Sequence, residues 1–282
     1  MNPTSVSNQR LPEDVSFLQS VLNYLRLFIS RDNFKTTVIL LYAVFALSAW
    51  KYIPSPPRFG DPETGKCVLT ESFPSGTSEA QRVKPLDGSM TEQISPAQFF
   101  WNARKLWAAF LLMGVGPCCI VKFVFREKLQ KYGLTPGVFK RTLVSFCNFV
   151  PIMLVIGWLS GNTKEFYAVY PFNPLAGVSM TALIVHSIMY LFLYYLAWEF
   201  MFRGFMQLGL SETIGVGPAI LLQVLASTML HYGHPASETF GCIAGGLLWG
   251  YLVCRTKSIF SGWGQHAALG IALDWSLVLK AM

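Results

Sequence analysis

Residues 178–208 read VSMTALIVHSIMYLFLYYLAWEFMFRGFMQL, a stretch in which only Glu199 and Arg203 carry charge. Its first part belongs to a run of 33 residues, 166–198, without Asp, Glu, Lys or Arg. A helix needs about 20 mostly apolar residues to cross hydrocarbon, so this one is long enough to span and to tilt or continue past the bilayer. Other charge-free runs occupy 142–163 and 213–237, with shorter ones at 36–50, 106–121, 239–254 and 258–273. Charged residues at the ends of such runs snorkel outward. The pattern predicts seven spans, near 34–53, 103–123, 142–161, 178–208, 216–233, 238–255 and 259–279. The expected fold is all-α, a polytopic membrane helical bundle of about seven transmembrane helices.

Composition agrees. Only 13% of the 282 residues are charged, while 52% are hydrophobic and 15% aromatic, and the mean hydropathy is +0.42. A soluble globule could not keep that much apolar surface from water, and a disordered chain or a disulfide-stapled secreted domain would look different. The net charge of +7 comes largely from clusters that the spans place on one side. These are Arg26, Arg31 and Lys35; Lys122, Arg126, Lys128, Lys131, Lys140 and Arg141; and Arg255 with Lys257. The positive-inside rule makes that side cytoplasmic, with the N-terminus inside and the C-terminus outside. Basic loops facing anionic lipid account for the charge, so the bilayer is the expected partner and nucleic acid is not.

Residues 1–130 are expected to form an N-terminal region with two spans and an outside loop at 54–98, rich in Pro, Gly, Ser and Thr. No cleavable signal peptide is visible before Arg31, where only Val15–Ile29 is mildly apolar. The six cysteines make no metal motif: Cys118 and Cys119 are adjacent, Cys147, Cys242 and Cys254 fall in spans, and Cys67 stands alone in the loop.

Polar side chains at membrane depth are costly, which makes them functional candidates. The first three spans hold none; the last four hold His186, Glu199, Arg203, His231, His234, His266 and Asp274. Glu199 and Arg203, four apart, share a helix face and can pair. At 1.5 Å per residue, Glu199, His266 and His231 lie roughly 15, 10 and 20 Å from the basic ends of their helices, close enough to form one cluster. Asp274, two turns after His266, borders the same face and is a possible support for it. His186 lies roughly 140° around the helix from Glu199 and is expected to be structural. His234, beside Pro235, is expected to cap a helix or sit at an interface. Gly241 with Gly245 and Gly246 with Gly250 have the spacing that lets helices approach closely in lipid.

Glu199-x-x-x-Arg203-Gly204, then His231, a Gly-rich helix, Arg255-Thr256-Lys257-Ser258-Ile259 and His266 resemble the CPBP (CAAX protease and bacteriocin-processing, or Abi) family of intramembrane endopeptidases. The resemblance covers roughly 178–279 and implies a CPBP-like protease core within residues 131–282, in an integral multi-pass protein of the bacterial inner (cell) membrane. Trp198 stands where the family's motif has the first of two glutamates, the one usually assigned to activating water. Ser227 stands where a Phe is usual, and Gly270 where an Asn is common. A bacterial branch with Trp-Glu-Phe-x-Phe-Arg-Gly-Phe is a closer match.

The resemblance implies hydrolysis of a peptide bond in a membrane-anchored protein or peptide. Glu199 would be the general base, Arg203 its partner, His231 the residue positioning water or moving a proton, and His266 the stabiliser of the oxyanion. No cofactor is expected. The metal alternative is a divalent ion such as zinc on Glu199, His231 and His266, which the absence of a His-Glu-x-x-His helix and the nearby Arg203 disfavour. Two other function classes stay open: a catalytically silent CPBP-like scaffold or immunity protein, which Trp198 would explain, and a small proton-coupled transporter, for which the paired halves of many carriers are missing.

Overall fold

A computed structural model describes residues 17–30, 33–55 and 95–281. Every regular element among them is helical. We number the main helices α1 (Phe17–Ile29), α2 (Phe34–Tyr52), α3 (Pro96–Asn102), α4 (Arg104–Val124), α5 (Phe139–Ser160), α6 (Met180–Ile214), α7 (Val216–Leu230), α8 (Ala236–Thr256) and α9 (Phe260–Ala281). Nearly all of the expected outside loop at 54–98 lies outside the described residues, as do Arg31 and Cys67.

Helices stand in all seven expected segments. Four of them, α2, α4, α5 and α6, are long and apolar enough to cross a membrane. The expected span at 216–233 is corrected at its far end, because α7 is an apolar helix of only 15 residues. It stops at Leu230, where Gly233 (φ 93°) and Pro235 turn the chain into α8. α8 and α9 are long but carry more glycine and polar residues, several of which face the candidate site. The expected span at 178–208 runs on to Ile214 and ends at Gly215 (φ 86°), a left-handed turn that leads directly into α7. α6 is not a uniform α-helix: Tyr190–Tyr195 and Phe200–Leu208 are π-helical turns, a distortion frequent at functional sites.

α6 is the buried centre of the bundle. Tyr190, Trp198, Met201, Phe202, Phe205 and Met206 on it are almost wholly enclosed, and α2 lies against it through Trp50–Trp198 and Tyr42–Phe205 ring contacts. α5 and α9 pack closely because Gly157 and Gly161 have no side chain; a carbon at Gly157 would overlap the Leu269 carbonyl, and one at Gly161 the Ser276 hydroxyl. The four glycines of α8 do not act alike. Gly246 lets α8 approach Val224 on α7, and Gly250 adjoins Gln207 and Gln223, but Gly241 faces open space and Gly245 meets only Trp249 of its own helix.

The basic end of the bundle is tied by charge. Lys35 and Lys131 each pair with both Glu127 and Glu212, which joins α2, the α4–α5 connection and the end of α6. Partial burial raises the Glu127 carboxyl, but hydrogen bonds from Lys131, Tyr132 and Lys35 outweigh it and bring it down to about 2. At the opposite end Lys51 of α2 donates to the carbonyls of Leu230 and Tyr232, at 2.9 and 3.0 Å, and so fixes the turn that carries His231.

Candidate active site

Glu199 arrives at the middle of the bundle on α6, and the side chain is fully buried. His266 reaches it from the second turn of α9, with Nδ1 2.9 Å from Glu199 Oε1. Arg203, one helical turn along α6, places Nη1 3.2 Å from the same oxygen, as an ion pair without hydrogen-bond angles. Arg203 from the same helix and His266 from another thus both meet one oxygen of a fully buried carboxylate, while the His266 side chain keeps 14% exposure. Glu199 Oε2 and Arg203 Nε and Nη1 find no hydrogen-bond partner among the described residues.

Aromatic rings hold this group in place. Trp249 of α8 stacks on His266 with centroids 4.4 Å apart and planes 24° from parallel, and the Arg203 guanidinium lies 5.4 Å from the Trp249 ring. Trp249 is held in turn by its Nε1 donating to Gln265 Oε1 at 3.1 Å, while Gln265 Nε2 donates to the Ser145 hydroxyl on α5 at 2.9 Å. Tyr195 packs on His266 from α6 at 4.7 Å. Its hydroxyl occupies the space beside Gly270, where any side-chain carbon would collide with it.

With Nδ1 committed to Glu199, Nε2 is the nitrogen of His266 left to meet a substrate oxygen. It donates when the Glu199–His266 pair holds a proton besides the one on a neutral imidazole. Arg203 offsets the buried carboxylate charge.

His231 belongs to a second, adjacent group. It caps the end of α7, with Nδ1 2.8 Å from the Ser227 carbonyl and Nε2 3.6 Å from Glu238 Oε1. The Trp198 ring stands between the two groups, edge-to-face with His231 at 5.6 Å and with His266 at 6.3 Å. Trp198 is 2% exposed and also packs on Trp50, Tyr194 and Phe202.

Glu199, Arg203 and His266 are therefore in direct contact, and His231 is one ring away. Asp274 is not at His266: its Oδ2 lies 2.9 Å from His186 Nε2 in a fully buried pair that joins α9 to α6. The expected support of His266 by Asp274 gives way to Tyr195, which fills the wall of α6 facing Gly270. Glu199, His231 and His266 do not converge as three metal ligands either, since Glu199 is tied to Arg203 and His231 faces Glu238. Among the described residues no group of three or more His, Cys, Asp or Glu is arranged to hold a metal.

Sequence reasoning missed Glu238, Trp249 and Tyr195. Glu238 had a usable signal, because His234-Pro235-x-x-Glu238 puts an acid four residues after a histidine in the first turn of a helix. Trp249 and Tyr195 had none, being two aromatic residues in a chain full of them.

Gly262 allows the Glu199 carboxylate its position: a side-chain carbon there would lie 2.7 Å from Oε2. Gly262→Ala is expected to displace Glu199 relative to His266, since Arg203 and His266 restrain the carboxylate from moving away. A displacement near 1 Å is expected to cost about 100-fold in turnover. Turnover of the purified variant within threefold of wild type would show that the carboxylate can shift freely.

The buried Glu–Arg–His centre and the apolar helices define an integral membrane protein with an intramembrane polar site. Residues 180–272 match the family described as Type II CAAX prenyl endopeptidase Rce1-like, the kind of family that the motifs from Glu199 to His266 resemble. Neither the curated proteins nor the solved structures compared with the chain gave a match. The match supports a CAAX-type intramembrane protease at the level of the family.

Proposed function

We propose that this protein hydrolyses a peptide bond in a membrane-associated protein, with the Glu199–His266 pair polarising the scissile carbonyl and His231 facing the attacking water. The contact that carries the reading is the 2.9 Å bond between Glu199 on α6 and His266 on α9. It joins a carboxylate and an imidazole from helices 67 residues apart, inside a site where apolar walls strengthen every electrostatic interaction. Arg203, 3.2 Å from Glu199 Oε1, holds the carboxylate in place, so Glu199 acts through His266 rather than on water. A negative charge growing on the carbonyl oxygen would meet His266 Nε2–H, and removing one such donor typically costs 100- to 1,000-fold.

Membrane fractions of cells lacking the gene supply the substrate pool, and mass spectrometry counts the new amino termini made by the purified full-length protein. We expect cleavage by wild type and a loss of about 100-fold or more in His266→Gln, at equal amounts of folded protein. Wild-type protein that produces no new termini would defeat the endopeptidase reading and leave a catalytically silent scaffold, to which Trp198 points. The same orientation reasoning, N-terminus inside and the 54–98 segment outside, is open to cysteine labelling at Lys131 and Ser78 from opposite sides of intact membranes.

A further inference from the structure

We propose that Glu238 is a catalytic carboxylate of this site, the acceptor of the proton released by the attacking water. The inference rests on the endopeptidase reading and adds the base that reading lacks. Glu199 and Glu238 each have one engaged oxygen and one without a partner among the described residues. Glu199, however, is paired to the Arg203 cation and fully buried, whereas the Glu238 side chain is 16% exposed, which makes Glu238 the better base.

Glu238 lies in the first turn of α8, where the helix N-terminus favours a negative charge. Its Oε1 accepts from the Tyr170 hydroxyl at 2.5 Å and faces His234 Nδ1 at 3.1 Å. Those two contacts fix the carboxylate between the 161–179 connection and the α7–α8 turn. Its Oε2 is buried and has no hydrogen-bond donor among the described residues.

His231 completes the argument. The Ser227 carbonyl only accepts, so His231 Nδ1 carries the proton that bonds to it. In the neutral ring Nε2 is then an acceptor, and it faces another acceptor, Glu238 Oε1, at 3.6 Å. Two acceptors beyond hydrogen-bond range are joined by a donor between them, and a water molecule supplies two protons for that purpose. Water held by both hydrogens presents its lone pairs outward, which is what attack on a carbonyl requires.

The step balances without a co-reactant. The water oxygen bonds to the peptide carbonyl carbon while one of its protons passes to Glu238, and the carbonyl electrons move to the oxygen facing His266. Collapse re-forms the C=O bond and breaks the C–N bond. The proton on Glu238 goes to the departing nitrogen, so one water is consumed and an acid and an amine result. The sequence places an acid at 238 rather than at 198, yet His231 lies against both positions, through the Trp198 ring on one side and Glu238 on the other.

The membrane-extract assay tests this with Glu238→Gln and Glu238→Ala at matched folded concentration. Loss of a positioned general base is expected to lower turnover about 100- to 10,000-fold in Glu238→Gln. Sodium formate, a small carboxylate able to enter the space vacated in Glu238→Ala, is expected to restore at least tenfold of the lost rate and to leave Glu238→Gln and wild type unchanged. Glu238→Gln within threefold of wild type would overturn the inference alone. So would a loss that formate does not restore, because the carboxylate would then serve only to tie α8 to Tyr170. A wild-type protein without activity would instead overturn the endopeptidase reading, and this inference with it.

Discussion

Arg203→Met is expected to destabilise the protein by about 3–5 kcal/mol, one of the two largest stability effects at the site. Arg203 is 1% exposed and its charge is met by a carboxylate that is itself fully buried, so removing the cation leaves Glu199 with His266 as its one ionisable contact among the described residues. Methionine keeps an unbranched stem but is shorter and lacks the guanidinium, so the single variant loses both charge and packing, and a double variant separates the two. The Trp249 face under the guanidinium would lose its cation as well. Glu199→Gln combined with Arg203→Met removes both charges and is expected to recover much of the stability, though not the activity. Thermal unfolding of the single and double variants in detergent decides the matter. An Arg203→Met protein within about 1 kcal/mol of wild type would mean that the pair is not the buried unit described above.

Trp198→Glu is expected to cost about 3–5 kcal/mol, through the cavity left by an indole and the burial of a new carboxylate. Trp198 is enclosed by Trp50, Tyr194 and Phe202, which supply no charge. Two more ring neighbours, the ionisable His231 and His266, are already bonded to Ser227 and Glu199. Trp198→Phe keeps an aromatic ring in the same wall and is expected to lose only about 1–3 kcal/mol while retaining most of its activity. The comparison separates two readings of the natural residue. Activity in Trp198→Phe makes the tryptophan a divider that packs the two halves of the site. Cleavage seen only in Trp198→Glu would make the natural protein a silent relative with a repairable lesion. Both variants are compared by proteolysis at equal folded concentration.

The apolar runs at 142–163 and 166–198 fixed where helices α5 and α6 would form, because hydrocarbon leaves a backbone few other ways to satisfy its hydrogen bonds. The choice of Glu199, Arg203, His231 and His266 also followed from sequence, since charge and imidazole are costly in such helices. The i, i+4 spacing of Glu199 and Arg203 is local, and their ion pair follows from it.

Contacts between distant segments were not legible. Asp274 and His266 border one face of α9 by rotation, but which helix meets that face depends on how α6 crosses it. The crossing delivers His186 to Asp274 and Glu199 to His266. Glu238 was passed over because it ends a charge-free run, a place where hydropathy expects a snorkelling acid. What draws it inward is the Tyr170 hydroxyl, 68 residues earlier in the chain, together with His234 at the turn. The sequence by itself determined a helical membrane bundle and the polar residues it must bury, through local hydrophobicity and spacing. Only the tertiary structure decided which of those residues meet, because side-chain pairing across helices depends on crossing angles, glycine contacts such as Gly157 on Leu269, and turns that no local pattern encodes.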